Sequence, residues 1–247
     1  MTYCVAMRLN HGLVFMSDTR TNAGVDNISI FKKMFTWEVP GERMLTIMTA
    51  GNLATTQAVV SLLEERVKAP DEREPSILAA PSMFQVAQLI GEVLRDVIAN
   101  HEQSGQESSS AFNATIILGG QIKGGGQRLF LIYPEGNFIE ASEDTPFFQI
   151  GETKYGKPIL VRAHDPDMTF EEAIRLMLVS FDSTIKANLS VDLPLDLQTY
   201  KKDSLNVGHV DRIEFSHPYY QLISNQWGES LKSALDALPD YSIEDQT

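Results

Sequence analysis

The chain has 247 residues, of which 43% are hydrophobic, enough to build a sizeable core in one large domain or two small ones. Against 33 acidic residues stand only 20 lysines and arginines, a net charge of −13 that offers no basic stripe for phosphates and argues against a nucleic-acid binder. A single cysteine, Cys4, excludes an intrachain disulfide, and no apolar run has the length of a membrane span. The N-terminus lacks the basic, apolar and small-residue succession of a signal peptide, so a cytoplasmic location is expected.

In chain order, residues 2–9, 12–18, 31–38 and 44–49 read as strands, punctuated by Gly and Asn. Residues 52–68 read as a helix. A second covers about 82–101, where Leu89, Ile90, Val93, Leu94, Val97 and Ile98 recur at helical spacing. Between them Pro70 to Pro75 reads as a charged loop, and the serine-rich stretch 101–110 as another. A second strand block, 112–119, 128–133, 137–141 and 147–151, follows, with Gly124 to Gly126 in a hairpin loop. Thr169 and Glu172 have the spacing of a capping box and open a helix to about Asn188. Strands near 196–202 and 208–215 and a final amphipathic helix at about 225–238 complete the order. No long flexible linker or repeat interrupts it, so one domain is expected over 1–247, with 216–247 a helical extension. Strand blocks alternating with helix blocks predict two stacked antiparallel sheets between helical layers, an α+β, four-layer αββα sandwich.

Chemistry enters at Thr2. It directly follows Met1, and its small side chain suits removal of that methionine, which would unite a hydroxyl nucleophile and a free α-amine on one residue. Such an amine has an unperturbed pKa of roughly 7.7–8.0 and acts as a base near neutral pH without a histidine. Asp18 follows the second strand among small polar residues. In a strand over 31–37, the two-residue period sets Phe31, Lys33, Phe35 and Trp37 on one face. Lys33 then points among aromatics and requires an anion, for which Asp18 is nearest in sequence. Lys32 is the other lysine that position allows. Thr49-Ala50-Gly51 turns into a helix, whose first backbone N–H groups are suited to an oxyanion.

Each residue also has a plain reading. Thr2 alone is an ordinary strand start, Asp18 a turn cap, Lys33 a side chain snorkelling from a sheet edge, and Gly51 a backbone permissive for a turn. Cys4 reads as a small apolar strand residue. His11, His101, His164, His209 and His217 show no metal-ligand spacing, and Gly124 to Gly126 lack the Lys-Ser/Thr of a phosphate loop, so no metal or cofactor is expected.

Met1 to Ala6, Ser17 to Gly24 and Lys33 to Phe35, with the Thr49-Ala50-Gly51 turn, together resemble the proteasome-type N-terminal-nucleophile hydrolases, in particular the bacterial ancestral beta subunit family. The resemblance is dense over 2–63 and persists in element order to about 205. It implies a threonine peptidase in which Thr2 attacks, Lys33 and Asp18 tune it, and the Gly51 N–H stabilises the oxyanion. Thr21, Thr49 and Leu53 are implied as substrate-binding, with a small-to-medium apolar preference. It also implies self-association of one subunit type into a ring or helical stack enclosing peptides or unfolded chains; a regulatory ATPase partner is left open.

The chain departs from the family where an Arg-Asp-x-x-Ser-Gly-like element is expected after the long helix. There it reads Ala187-Asn188-Leu189-Ser190-Val191-Asp192-Leu193. Ser190 is the candidate hydroxyl partner for the Thr2 amine, and Asn188 stands where the acid is expected. Two other functions fit the sequence: a non-catalytic scaffold of the same fold, or an amidase for small molecules.

Overall fold

In the computed structural model, residues 2–22, 28–69, 75–104 and 112–242 are described. Strands β1 (Tyr3–Leu9) and β2 (Gly12–Asp18) form a hairpin. They join β10 (Phe147–Gly151), β11 (Leu195–Lys201) and β12 (Val210–Ile213) in a five-stranded antiparallel sheet of order β10-β1-β2-β11-β12. The second sheet, also five-stranded and antiparallel, runs β5 (Met34–Val39), β6 (Arg43–Gly51), β7 (Ala114–Ile122), β8 (Arg128–Ile132), β9 (Phe138–Glu140). Helices α1 (Leu53–Lys68) and α2 (Met83–Ser104) cover the second sheet, while α3 (Lys157–Ala163), α4 (Phe170–Ala187) and α5 (Pro218–Asp236) cover the first.

Alternation along the strands builds three separate cores. Along β1, Val5, Met7 and Leu9 pack toward the α4 layer, while Cys4 and Ala6 face the other sheet. Along β6, Leu45 and Ile47 meet α1 and α2, while Met44 and Met48 meet Phe15 and Tyr200 between the sheets. Strands buried on both faces lose the polar alternation of a solvent-facing sheet, which is why β1 and β2 read as near-continuous apolar runs. The result is the expected αββα sandwich. Cys4 is a free, buried thiol in the inter-sheet core.

Several elements depart from the sequence reading. The capping box forms as expected, with the Glu172 N–H donating to Thr169 Oγ1 at 3.2 Å and the Thr169 N–H to Glu172 Oε2 at 2.8 Å. The last helix, however, begins at Pro218 rather than near 225, because proline at the first helical position needs no N–H partner and pre-sets the dihedral. Helix α3 was not anticipated; at seven residues it is too short to display helical periodicity. The expected strand 31–38 starts only at Met34, as β5, and a separate short strand β4 (Ile28–Ile30) precedes it, pairing with β3 (Arg20–Asn22). Ala23 and Gly24, most of the 70–75 loop, and the serine-rich stretch beyond Ser104 lie outside the described residues, as does Met1.

Candidate active site

Thr2 sits where β1 enters the first sheet, and two hydrogen bonds fix the backbone around it. The Glu152 N–H donates to the Thr2 carbonyl at 2.7 Å, and the Tyr3 N–H donates to Asp18 Oδ1 at 2.9 Å. Tyr3 pins the strand from behind, its hydroxyl 2.7 Å from Ser180 Oγ on α4 and also bonded to Gln149. Burial pushes that phenol up to about 12, so it stays a neutral hydrogen-bonding anchor.

Asp18 ends β2 and is fully buried. Its Oδ1 accepts from Lys33 Nζ at 2.7 Å as well as from Tyr3, and Lys33 Nζ also donates to the Arg20 carbonyl at 2.6 Å. The Thr49 N–H donates to the Lys33 carbonyl at 3.0 Å, so the segment before β5 is tied to β6. Burial pushes the Asp18 carboxyl up to about 6, opposed by the Lys33 ammonium and the Tyr3 N–H. Its second oxygen, Oδ2, and the neighbouring Ser17 Oγ are buried with no partner among the described residues. Buried polar atoms are nearly always satisfied, so each of these two calls for an explanation.

The aromatic-face argument for Lys33 does not hold. Residues 31–33 lie outside any strand, so the two-residue period does not run through them. Phe35 and Trp37 pack against the core under α1 and α2, whereas Lys33 is directed by its ion pair. Lys33 is buried and Lys32 exposed, with Lys32 Nζ 5.5 Å from the centroid of the Phe35 ring.

Thr2, Lys33 and Gly51 line one cavity of about 460 Å³, together with Thr21, Thr49 and Leu53. Gly51 ends β6 with φ +116, and a Cβ there would stand 2.4 Å from the Asn113 carbonyl; only glycine makes that turn. Asn52 caps α1, its Oδ1 accepting the Thr55 N–H at 3.1 Å, so the helix starts beside the cavity. Lys32, Phe35 and Gln57 also line it, and among the described residues none of the lining is acidic. A larger cavity of about 610 Å³ lies among α3, α4 and α5 and shares no lining residue with the Thr2 cavity.

Ser190 is not part of the Thr2 cavity. It is half-buried, and its backbone N–H donates to Asn188 Oδ1 at 2.9 Å. Asn188 Nδ2 donates instead to Glu152 Oε2 at 3.0 Å. Arg20 joins the same loop to the β2 side, its Nη1 2.5 Å from Asp192 Oδ2, and Thr19 Oγ1 donates to the Pro194 carbonyl at 2.7 Å. Sequence reasoning missed Glu152 and the Arg20–Asp192 pair. The one signal for Glu152 was its place directly after β10, which only the pairing register connects to Thr2. Among the described residues no cluster of His, Cys, Asp and Glu is arranged to hold a metal ion, and no helix is long and apolar enough to cross a membrane.

The two stacked sheets with Thr2 at their cleft define a class, and comparison with known proteins agrees with it. A family model described as proteasome subunit matches residues 2–192. Among solved structures, Anbu (ancestral beta-subunit) from Yersinia bercovieri is 50% identical at a TM-score of 0.90, covering 98% of this chain and 100% of that one. The Anbu (Gly-1) mutant from Hyphomicrobium sp. strain MC1 is 48% identical at a TM-score of 0.91, with coverage of 98% and 100%. The structure titled helical assembly of the Anbu complex from Pseudomonas aeruginosa is 46% identical at a TM-score of 0.90, covering 98% of each chain. None of the curated proteins matches the chain. The chain belongs to the proteasome subunit family, in its ancestral beta-subunit branch.

Proposed function

We propose that this protein is a threonine-type peptidase whose nucleophile is Thr2, freed by removal of Met1. The observation that carries the reading is the buried Asp18–Lys33 pair, 2.7 Å between charged atoms, whose lysine lines the same cavity as Thr2. A buried ion pair is weak evidence for stability but a common means of holding a charge in place for chemistry.

The steps follow from the chemistry of these groups. The Thr2 amine takes the Oγ proton, directly or through a water, as Oγ bonds to the peptide carbonyl carbon. Lys33, held by Asp18, places positive charge beside both groups and lowers the pKa of each. The Gly51 N–H donates to the oxyanion; losing one such donor typically costs about 3–4 kcal/mol of barrier. The C–N bond then breaks, and the ammonium returns its proton to the leaving amine. Water attacks the resulting ester with the amine again as base, which releases the acid and restores Thr2. Thr21, Thr49 and Leu53 hold the residue before the scissile bond, and Lys32 gives that pocket one exposed cation beside its apolar surface.

The working form is a self-associated particle in the cytoplasm, built from one domain over 1–247 with 216–247 as a helical extension. Support comes from the relative whose structure is titled a helical assembly. It comes also from Leu231, Leu235 and Leu238, exposed at the C-terminal end of the fold. Such enclosure limits substrates to peptides and unfolded chains. The test is Thr2→Ala in protein whose native counterpart is shown by intact mass to start at Thr2. The variant should keep its fold and lose turnover of reporter peptides; full turnover rejects the nucleophile. A native protein retaining Met1 favours the scaffold reading, and turnover of small amides alone favours an amidase.

A further inference from the structure

The acid absent from position 188 is present elsewhere. Antiparallel pairing of β1 with β10 sets Tyr3 opposite Gly151, so the next residue on each strand, Thr2 and Glu152, come together at the strand ends. The bond from the Glu152 N–H to the Thr2 carbonyl, 2.7 Å, fixes that juxtaposition. Gly151 makes it possible: its φ is +84, and a Cβ there would stand 1.9 Å from the Thr2 carbonyl oxygen. Glu152 is only 8% exposed. Its carboxylate is held at both oxygens, Oε2 accepting from Asn188 Nδ2 at 3.0 Å and Oε1 from the Lys154 N–H at 3.4 Å. A buried carboxylate needs a cation or several donors, and the two seen here are neutral.

Resting on the nucleophile reading of Thr2, we infer that Glu152, held by Asn188, is the anionic positioning residue for the Thr2 amino group. Carboxylate and neutral partner have exchanged places relative to the pattern the sequence resembles: the loop after α4 supplies an amide and the loop after β10 supplies the acid. The Thr2 amine lies two covalent bonds from the carbonyl carbon that Glu152 grips, well within the span of a glutamate side chain. When the amine takes the Oγ proton it becomes an ammonium, and the carboxylate stabilises that ion without accepting the proton. Lys33 acts in the opposite sense from the Asp18 side. Among the described residues, Arg20 pairs with Asp192, and Lys32 is exposed at the cavity.

The experiment measures the Thr2 amine itself rather than activity. Assembled full-length protein is acylated by acetic anhydride across neutral pH, and labelling of the N-terminal peptide is read by mass spectrometry, giving the amine pKa. Glu152→Gln should lower that pKa by about one unit, the low end of the shift that a nearby opposite charge produces. Glu152→Asp should restore most of it. If Glu152→Gln does not assemble, Asn188→Leu keeps the charge but frees the carboxylate, and a smaller shift of the same sign is expected. Identical titration in wild type and the assembled variant overturns the role of Glu152 while leaving the Thr2 nucleophile intact. Protein that keeps Met1 has no such amine, and both readings then fall.

Discussion

Lys33 Nζ and the Tyr3 N–H converge on one oxygen of Asp18, at 2.7 and 2.9 Å, so a single buried carboxylate sets both the cation and the strand that carries Thr2. Any change at Asp18 therefore reaches the nucleophile by two routes, electrostatic and geometric.

Stability and activity should separate at this pair. Lys33→Met leaves the Asp18 carboxylate buried and uncompensated, and is expected to destabilise the fold by about 3–5 kcal/mol with loss of activity. The double variant Asp18→Asn with Lys33→Met should regain most of that stability and none of the activity. Urea unfolding and peptide turnover on the same preparations check both outcomes.

The pH dependence follows from the carboxyl raised to about 6 from 3.8. Activity needs the ionised form to hold Lys33, so turnover should fall as pH drops through about 6. The folding contribution has the opposite sign. A carboxyl raised in the folded state binds its proton more tightly there than when unfolded. Its contribution is fully present below the unfolded value and is lost as pH rises from 3.8 through 6. The wild-type protein should thus gain stability relative to Asp18→Asn on acidification through that window; a constant difference between the two would contradict the shift.

Gly151→Ala tests the seating of Thr2. The new methyl would overlap the Thr2 carbonyl oxygen at a positive φ, so the strand end must move. Backbone strain of this kind costs about 1–3 kcal/mol. Turnover should fall far more than that loss of stability accounts for, because a misplaced nucleophile also loses alignment. Thermal unfolding and kcat, measured together, distinguish the two.

Lys32 should set substrate charge. With a lysine and no acid among the described residues of the cavity wall, peptides bearing Asp or Glu before the scissile bond should be cleaved better than those bearing Lys. An exposed charge pair contributes up to about 1 kcal/mol, roughly five-fold in rate. Lys32→Glu should reverse the order, and raising the salt concentration should flatten it, in a reporter-peptide panel.

Assembly should depend on the C-terminal helical extension. Leu231→Asp with Leu235→Asp places charge on two exposed apolar positions of α5. The particle should dissociate while the subunit's unfolding midpoint stays nearly unchanged, because neither residue belongs to a buried core. Analytical ultracentrifugation reads the first and urea unfolding the second; an intact particle would remove α5 from the interface.

What could be read from the chain itself was local. Alternation and helical spacing located most elements, and the Thr169–Glu172 box marked a helix start because its bonds span three residues. Thr2, Asp18, Lys33 and Gly51 were legible by residue type and order. The reason offered for Lys33 was nevertheless unsound: a two-residue period means nothing where no strand forms, and β5 begins one residue later.

The N-terminal sequence determined by itself that a threonine follows Met1 and leads into a strand, since that needs only the local pattern of residues 2–9. Tertiary structure alone decided what stands beside it. Glu152 lies 150 positions away and reaches Thr2 through the β1–β10 register. Asn188 reaches Glu152 because α4 ends there, and Ser190, two residues on, does not line the Thr2 cavity. Pairing register and helix ends depend on how distant apolar faces pack together, and no local pattern in the chain encodes that.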